Sequence, residues 1–540
     1  MKAETTREPR WRPRNRTVAD QLRYATAAVD NSPELLAIAD ALTARTGRPR
    51  NIPFRALLIA CCLHARVEPT NMYRTRIADL LVSLTATQRR DLGITSPISY
   101  SQVERAALKL DRAARDGITL PHLADDQTAQ TLHLDEVMSL ICSAALPPGF
   151  ITTATVAADG MDFESPARPQ GFIDKRTGEI LQCADPDAGI GHRTATPSHP
   201  SSWFTGQEVT LVTNAPDRPT SRTPSPDAPT VVLAAGIRAA ASDRARVTAG
   251  LVLWWHRRVP VRECTVDRGI SQGSDDDFAQ PLRRAGIEQI IDLKTQDRKI
   301  HTAWTHDLAL MINGGVFTKG IPEALYTDLP TPKLSDTTEE KIRKHEIYDR
   351  LQPYACQPLT AIDDAGRQRF RGPAHKHVRR VRCPNSPRSM RWSILPKTRC
   401  IKGEPCICST TFTLGPEDDI KLRQRDLWMT TKWKASYGRR NMAEQGISQA
   451  RVHAGKLVRM YTQVRNRAGQ GIAAAFSLFG TNLKIIQDWY DARGLDDPWV
   501  VFLGEQTLDL SDHPRIARAN RKKPKASLLK RLTSGTDPPR

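Results

Sequence analysis

Three acidic residues stand where phosphoryl chemistry would need them. Asp159 and Asp267 each close a β-branched, apolar run, ITTATVAADG at 151–160 and VRECTVDRG at 261–269. Glu444 lies far downstream in SYGRRNMAEQGISQAR, where Tyr437, Arg440, Glu444 and Arg451 are spaced Y-x2-R-x3-E-x6-R. At ~3.6 residues per turn these four fall on one helical stripe. Two aspartates at strand ends and a helical glutamate offer the hard oxygen ligands that Mg²⁺ prefers. A pair of such ions ~3.5–4 Å apart supports in-line displacement at phosphorus. The phenol and the two guanidinium groups suit phosphate oxygens. Taken singly, each aspartate reads as a turn residue, and Glu444 as half of an i,i+4 ion pair with Arg440. Only the three together make a metal site. Glu208, inside a flanking strand, is a further ligand candidate, whereas Asp185 and Asp187 in CADPDAGIGHR read as turn residues.

A second constellation is made of thiols. Of the ten cysteines, Cys383, Cys400, Cys406 and Cys408 cluster within 26 residues, with Cys356, His375 and His377 nearby. Their C-x16-C-x5-C-x-C spacing lacks paired C-x2-C knuckles, so a structural zinc site and free thiols in a β-rich segment both remain open. Trp428 and Trp433, just upstream of Glu444, are candidates either for stacking on an unpaired base or for core packing.

The elements that must position these groups are set by periodicity. Residues 1–16 form a basic arm, and 17–125 repeat apolar residues at i, i+3, i+4 through several helices, with Ser32-Pro33 and Thr85 as helix starts. GRPRNIPFR at 47–55 places three arginines beside a helix start, which fits a DNA-facing edge or a solvated face. From 126 to 300, strand patterns at 151–160, 203–215, 230–237 and 261–269 alternate with helical ones, the mark of a mixed α/β sheet. Residues 301–425 are richer in Pro, Gly, Arg and Cys, with short β-like runs (RFRGPA, VRRVRCP, RWSIL, STTFTL) after a helical TTEEKIRKHEIYDRL, and read as an insertion. Helical patterns resume over 426–500, notably at 471–492, and 501–540 form a basic tail.

The 540-residue chain carries 79 Lys and Arg against 59 Asp and Glu, a formal charge of +20. A polyanionic partner, nucleic acid first, fits that excess. The most apolar run, FRALLIACCLHA at 54–65, is far shorter than the ~20 residues of a membrane span. The N-terminal MKAETTREPRW lacks the apolar centre of an export signal, so a cytoplasmic location, with reduced thiols, is expected.

The acid blocks, in order, resemble those of the DDE transposases of bacterial insertion sequences. VAADGMDFES resembles their first-aspartate strand, and CTVDRGISQGSDDDFAQPLRRAGIEQIIDLK their second-aspartate block. SYGRRNMAEQGISQAR is similar to the Y-x2-R-x3-E-x6-K motif of their best-known group, with Arg451 in the lysine position. The resemblance spans about 150–300 and 425–490. It implies an RNase H-like catalytic fold with an insertion between the second aspartate and the glutamate. It further implies Mg²⁺ (or Mn²⁺) held by Asp159, Asp267 and Glu444, with Tyr437, Arg440 and Arg451 on the backbone of element-end DNA. The expected reaction is nicking at the element ends and then strand transfer into target DNA, carried out by a dimer on double-stranded DNA. An RNase H-like nuclease without strand transfer and a DNA-binding derivative without catalysis are the rival expectations.

Overall fold

The computed structural model describes residues 16–504 apart from 44–49, 121–128, 170–171, 174–175, 182, 196–199, 218–227, 299, 302–303, 305, 334 and 419–421. The basic arm up to residue 15, the tail from 505 and most of the Pro/Ser-rich loop after 215 therefore lie outside the described residues.

Six helices open the chain: α1 (Val18–Asp30), α2 (Pro33–Leu42), α3 (Phe54–Val67), α4 (Arg74–Ser83), α5 (Ala86–Asp91) and α6 (Tyr100–Asp116). Their starts are written locally. Ser32 caps α2 with Pro33 in the first turn, and Thr85 and Gln88 form a capping box on α5. α3 is apolar on nearly every side because it is buried between α1 and the later α14 (Arg467–Asp491), and one hydrophobic core runs from these helices into the sheet. Arg16, the last residue of the expected arm, is docked: its guanidinium pairs with Asp491 and Asp497 at 2.8 and 3.0 Å. Of the three arginines at 47–55, Arg48 lies outside the described residues, Arg50 sits 5.1 Å from the Phe54 ring centroid, and Arg55 is paired with Asp30 at 2.6 Å.

A hairpin of β1 (Ile118–Leu120) and β2 (Gln130–Leu132) leads to α7 (Leu134–Ser143), a helix not anticipated above although Leu134, Val137, Met138 and Ile141 keep helical spacing and are buried. Next come β3 (Thr155–Glu164), the small pair β4 (Phe172–Ile173) and β5 (Ile180–Leu181), β6 (Gly189–Arg193), β7 (Ser202–Asn214) and β8 (Val232–Ala239). After these stand α8 (Arg244–His256), β9 (Glu263–Val266), α9 (Arg268–Ser271), α10 (Ala279–Arg284) and β10 (Glu288–Ile290). The main sheet runs β10-β9-β3-β7, with β8 and β6 both on the far edge of β7. β10, β9 and β3 are parallel, and β7 is antiparallel to its neighbours. The protein is thus mixed α/β with a mixed sheet, as expected. One expectation fails here: β3 does not end at Asp159. The long β7 pairs with it from Val156 to Glu164, so Asp159 lies mid-strand.

Residues beyond 300 form β11 (Ala309–Ile312), β12 (Gly315–Thr318), α11 (Thr338–Asp349), and a three-stranded sheet of β13 (Gln357–Pro358), β14 (Gln368–Arg371) and β15 (Thr411–Leu414). They build two small hydrophobic clusters separate from the main core. VRRVRCP and RWSIL, expected as strands, are not strands; Arg382 of the first run makes one isolated bridge, to Lys397 beyond the second. α12 (Thr431–Tyr437), α13 (Asn441–Ser448), α14 and α15 (Pro498–Phe502) complete the chain. Among the described residues, no helix is long and apolar enough to cross a membrane.

Candidate functional site

The last rung of the β3–β9 pairing is Ala158 opposite Val266, so the next residue on each parallel strand is an aspartate. Asp159 and Asp267 therefore stand side by side where β9 ends, the end of a parallel pair where sites gather. Asp267 leaves the strand to cap α9, its Oδ1 accepting from the Ile270 N–H at 3.1 Å. The Asp159 Oδ1 accepts from the Gly160 N–H at 2.8 Å. Burial, and next the charge of Asp267, push the Asp159 carboxyl up to about 6. A Cβ at Gly160 would collide with the Glu208 carboxylate, so any larger residue here must displace Glu208.

Glu444 reaches this edge because α13 lies close on the sheet. Ala443 packs with Ala157 and Ala215, and a Cβ on Gly446 would lie 2.7 Å from Thr213 Cγ2. Small residues on that face let the helix backbone approach, which leaves Glu444 half-exposed at the rim. Arg440 links the two: it donates to Glu444 Oε1 at 2.5 Å and to Asp159 Oδ2 at 3.3 Å. The i,i+4 ion pair is thus present, and it extends to the first aspartate. Tyr437 stacks on Trp433 with centroids 4.7 Å apart, and burial pushes its phenol up to about 12. With Asp267, Arg268, Asp292 and Arg440 it lines an open cleft of about 600 Å³.

Asp159, Glu444 and Arg451 are not part of this cleft's lining; Arg440, which holds the first two, is. Tyr437 ends α12, residues 438–440 form a 3₁₀ turn and 449–453 a π turn, so the stripe expected of one continuous helix is broken twice. A 3₁₀ turn has ~3.0 residues per turn and so rotates the helix beyond it. Arg451 instead donates to Asp162 Oδ1 at 2.7 Å, beside Arg193, which holds Asp162 and Glu164. Glu208 is buried and held by Arg244 at 2.5 Å, which opposes the upward push of burial on its carboxyl. Asp185 is a structural acceptor for Ser165 and Gln470, and Asp187 for the Arg467 N–H. Trp428 and Trp433 are buried and donate to Asp292 and to the Ile291 carbonyl, so they are core residues.

Periodicity missed Arg439, which holds the 3₁₀ turn to the start of the sheet through Thr155 at 2.7 Å and Glu263 at 3.2 Å. Its only sequence signal is its place beside Arg440. Nothing in the sequence marks Arg244 as the partner of Glu208.

The cysteines converge. The Sγ atoms of Cys383, Cys400, Cys406 and Cys408 all lie within 4.8 Å of one another, with Cys383–Cys406 at 3.7 Å and Cys400–Cys408 at 3.6 Å. Four sulfurs around one Zn²⁺ at ~2.3 Å stand about 3.8 Å apart, close to the two shortest separations here, so the cluster could hold a metal such as zinc. Thr318 Oγ1 lies 3.1 Å from the Cys408 sulfur, and Asn385 Nδ2 donates to the Cys406 sulfur at 3.5 Å, the supporting contacts such a site needs. Cys356 sits in the other small cluster, apart from this group. Among the described residues this is the only group of three or more such side chains with ligand atoms so close; Asp159, Asp267 and Glu444 are further apart.

No protein-family model, no curated protein and no solved structure matches this chain.

Proposed function

We propose that this protein is a DDE transposase that cleaves DNA at the ends of a mobile element and joins the freed 3′ ends to target DNA. The observation that carries the reading is the pairing of Ala158 with Val266, which sets Asp159 and Asp267 abreast while α13 brings Glu444 to the same edge. The mixed sheet, with parallel strands bearing both aspartates and an insertion before the glutamate helix, suits an RNase H-like catalytic fold. A buried aspartate held up to about 6 by burial and a neighbouring carboxylate is an under-neutralised acid pair, which fits a divalent cation.

Asp159, Asp267 and Glu444 would hold Mg²⁺ or Mn²⁺, which when bound activates a hydroxyl nucleophile and stabilises the leaving oxygen. In the first step a water oxygen bonds to the end phosphorus and the element's 3′ oxygen leaves as a hydroxyl. In the second, that hydroxyl bonds to a target phosphorus and displaces a target 3′ oxygen. Arg440 bridges Asp159 and Glu444 in the protein alone, and its guanidinium would turn to a DNA phosphate. Tyr437, stacked and held in the cleft wall, would orient the strand beside it. Zn²⁺ on the four cysteines would be structural. Two ends cut together call for a dimer on DNA, which light scattering with and without end DNA measures. The decisive experiment incubates a plasmid carrying the element ends with protein and Mg²⁺. Cleavage with new insertions supports transposition; cleavage alone supports a nuclease; binding without cleavage supports a non-catalytic derivative.

A further inference from the structure

The cations around the acid cleft are already engaged. Arg440, Arg439, Arg451, Arg425 and Arg244 each hold a carboxylate. The loop closed by the cysteine node differs. Between Cys383 and Cys400 the sequence PNSPRSMRWSILPKTR contains four cations and no acid, and Lys402 comes just after. Arg388, Arg391, Lys397, Arg399 and Lys402 are all exposed, and none has a carboxylate partner among the described residues. Large apolar side chains stand among them: Ile394 is 88% exposed, Ile401 61%, Trp392 47% and Met390 39%. Such a patch on a protein surface marks an interaction site.

The loop is also fixed in shape. The Ser389 hydroxyl accepts from the Cys383 N–H at 2.9 Å and donates to the Ser386 carbonyl at 2.7 Å. Backbone bonds from Arg382 to Pro396 and from Thr398 to Arg382 close its base at 2.8 and 2.9 Å. A surface ordered before binding loses little entropy on docking.

We infer that this cysteine-anchored loop is a docking surface for nucleic acid, its cations on backbone phosphates and its Trp392–Ile394 tip against a groove or a base face. The choice of partner rests on charge complementarity: unpaired cations without an intervening acid match a regular polyanion, and the apolar tip matches bases rather than bulk water. The inference deepens the proposed DNA-acting role and rests on it for the partner.

Fluorescence anisotropy on the full chain, with duplex and single-stranded oligonucleotides over a salt series, tests it. The triple variant R388A/R391A/R399A should bind roughly ten- to a hundredfold more weakly at low salt and lower the salt slope by about 3, near one unit per lost contact. Trp392→Ala should weaken binding several-fold with the slope unchanged, and the oligonucleotide that senses it more identifies groove or base contact. Unchanged zinc content and melting temperature in both variants show that the fold is kept. Wild-type affinity and slope in the triple variant would overturn the inference while leaving the proposed function standing. Loss of binding to anionic phosphatidylserine vesicles with DNA binding intact would overturn it in favour of a membrane surface. A wild-type protein that binds no DNA at all would sink both readings.

Discussion

The acid cleft and the cysteine node solve the same problem, gathering ligands distant in sequence, in opposite ways. The acidic site draws its carboxylates from two strands and a helix spread over 286 residues, and an arginine bridges two of them. The node draws its thiols from 26 residues of loop, and its sulfurs already stand at metal-binding separations. A sheet and a docked helix fix where side chains begin but leave carboxylates apart, because like charges crowded together without a counter-ion raise each other's energy. Neutral thiols carry no such penalty and can pack in contact. On the proposed reading, the acidic site would be completed by metal and substrate, and the node would hold a loop in place.

That contrast can be broken most sharply at Asp159. Asp159→Asn should lower Mg²⁺-dependent cleavage by roughly 10³-fold, since metal-borne charge stabilisation is worth several kcal/mol. Undiminished plasmid cleavage by this variant would sink the assignment. In the metal-free protein the same change should stabilise, by about 3 kcal/mol at pH 8, because ionising a carboxyl whose folded value is about 6 costs free energy that builds up from ~4 and is complete above 6. Urea unfolding at pH 8 and pH 4 measures this, with the benefit expected only at the higher pH. Protons compete with the metal for this carboxylate, so the apparent Mg²⁺ affinity should weaken as pH drops through about 6.

At the node, Cys408→Ser should abolish stoichiometric zinc by elemental analysis and destabilise the surrounding segment by several kcal/mol, seen as new proteolysis between 380 and 410. Cleavage chemistry at the acid cleft should be less affected than by Asp159→Asn. Gly446→Val tests the docking of α13: with Thr213 Cγ2 only 2.7 Å from a first Cβ, the helix must lift, at about 1–3 kcal/mol, and activity should fall beyond what the loss of stability explains. The smallest effect belongs to Arg451→Lys. Its partner is Asp162, the pair is partly exposed, and one ammonium can replace the single Nη1 contact, so stability should change by under about 0.5 kcal/mol. A large loss of activity would show that Arg451 leaves Asp162 for DNA.

Much of this was legible in the residues. Local rules placed Ser32, Pro33 and Thr85 at helix starts, and β-branched runs marked β3, β7, β8 and β9. The Y-x2-R-x3-E spacing correctly put Arg440 one turn from Glu444, because an i,i+4 contact needs no tertiary partner. Arg451 leaves the expected stripe because that stripe presumes a regular helix from Tyr437 onward, whereas a 3₁₀ turn precedes Glu444 and a π turn follows it, and Arg439 anchors the first of these to the sheet. Asp159 as a strand end failed for a related reason: strand length is set by the partner, and β7 runs on.

The sequence by itself determined the kinds of groups available, their order and the local elements that carry them, since composition, capping and periodicity act within a few residues. Only the tertiary structure decided which of those groups meet. Strand register set Asp159 beside Asp267, the small residues of α13 admitted Glu444, and loop packing drew four unevenly spaced cysteines into contact. The first two depend on contacts between segments far apart in the chain, and the third on the path of a long loop, none of which local sequence encodes.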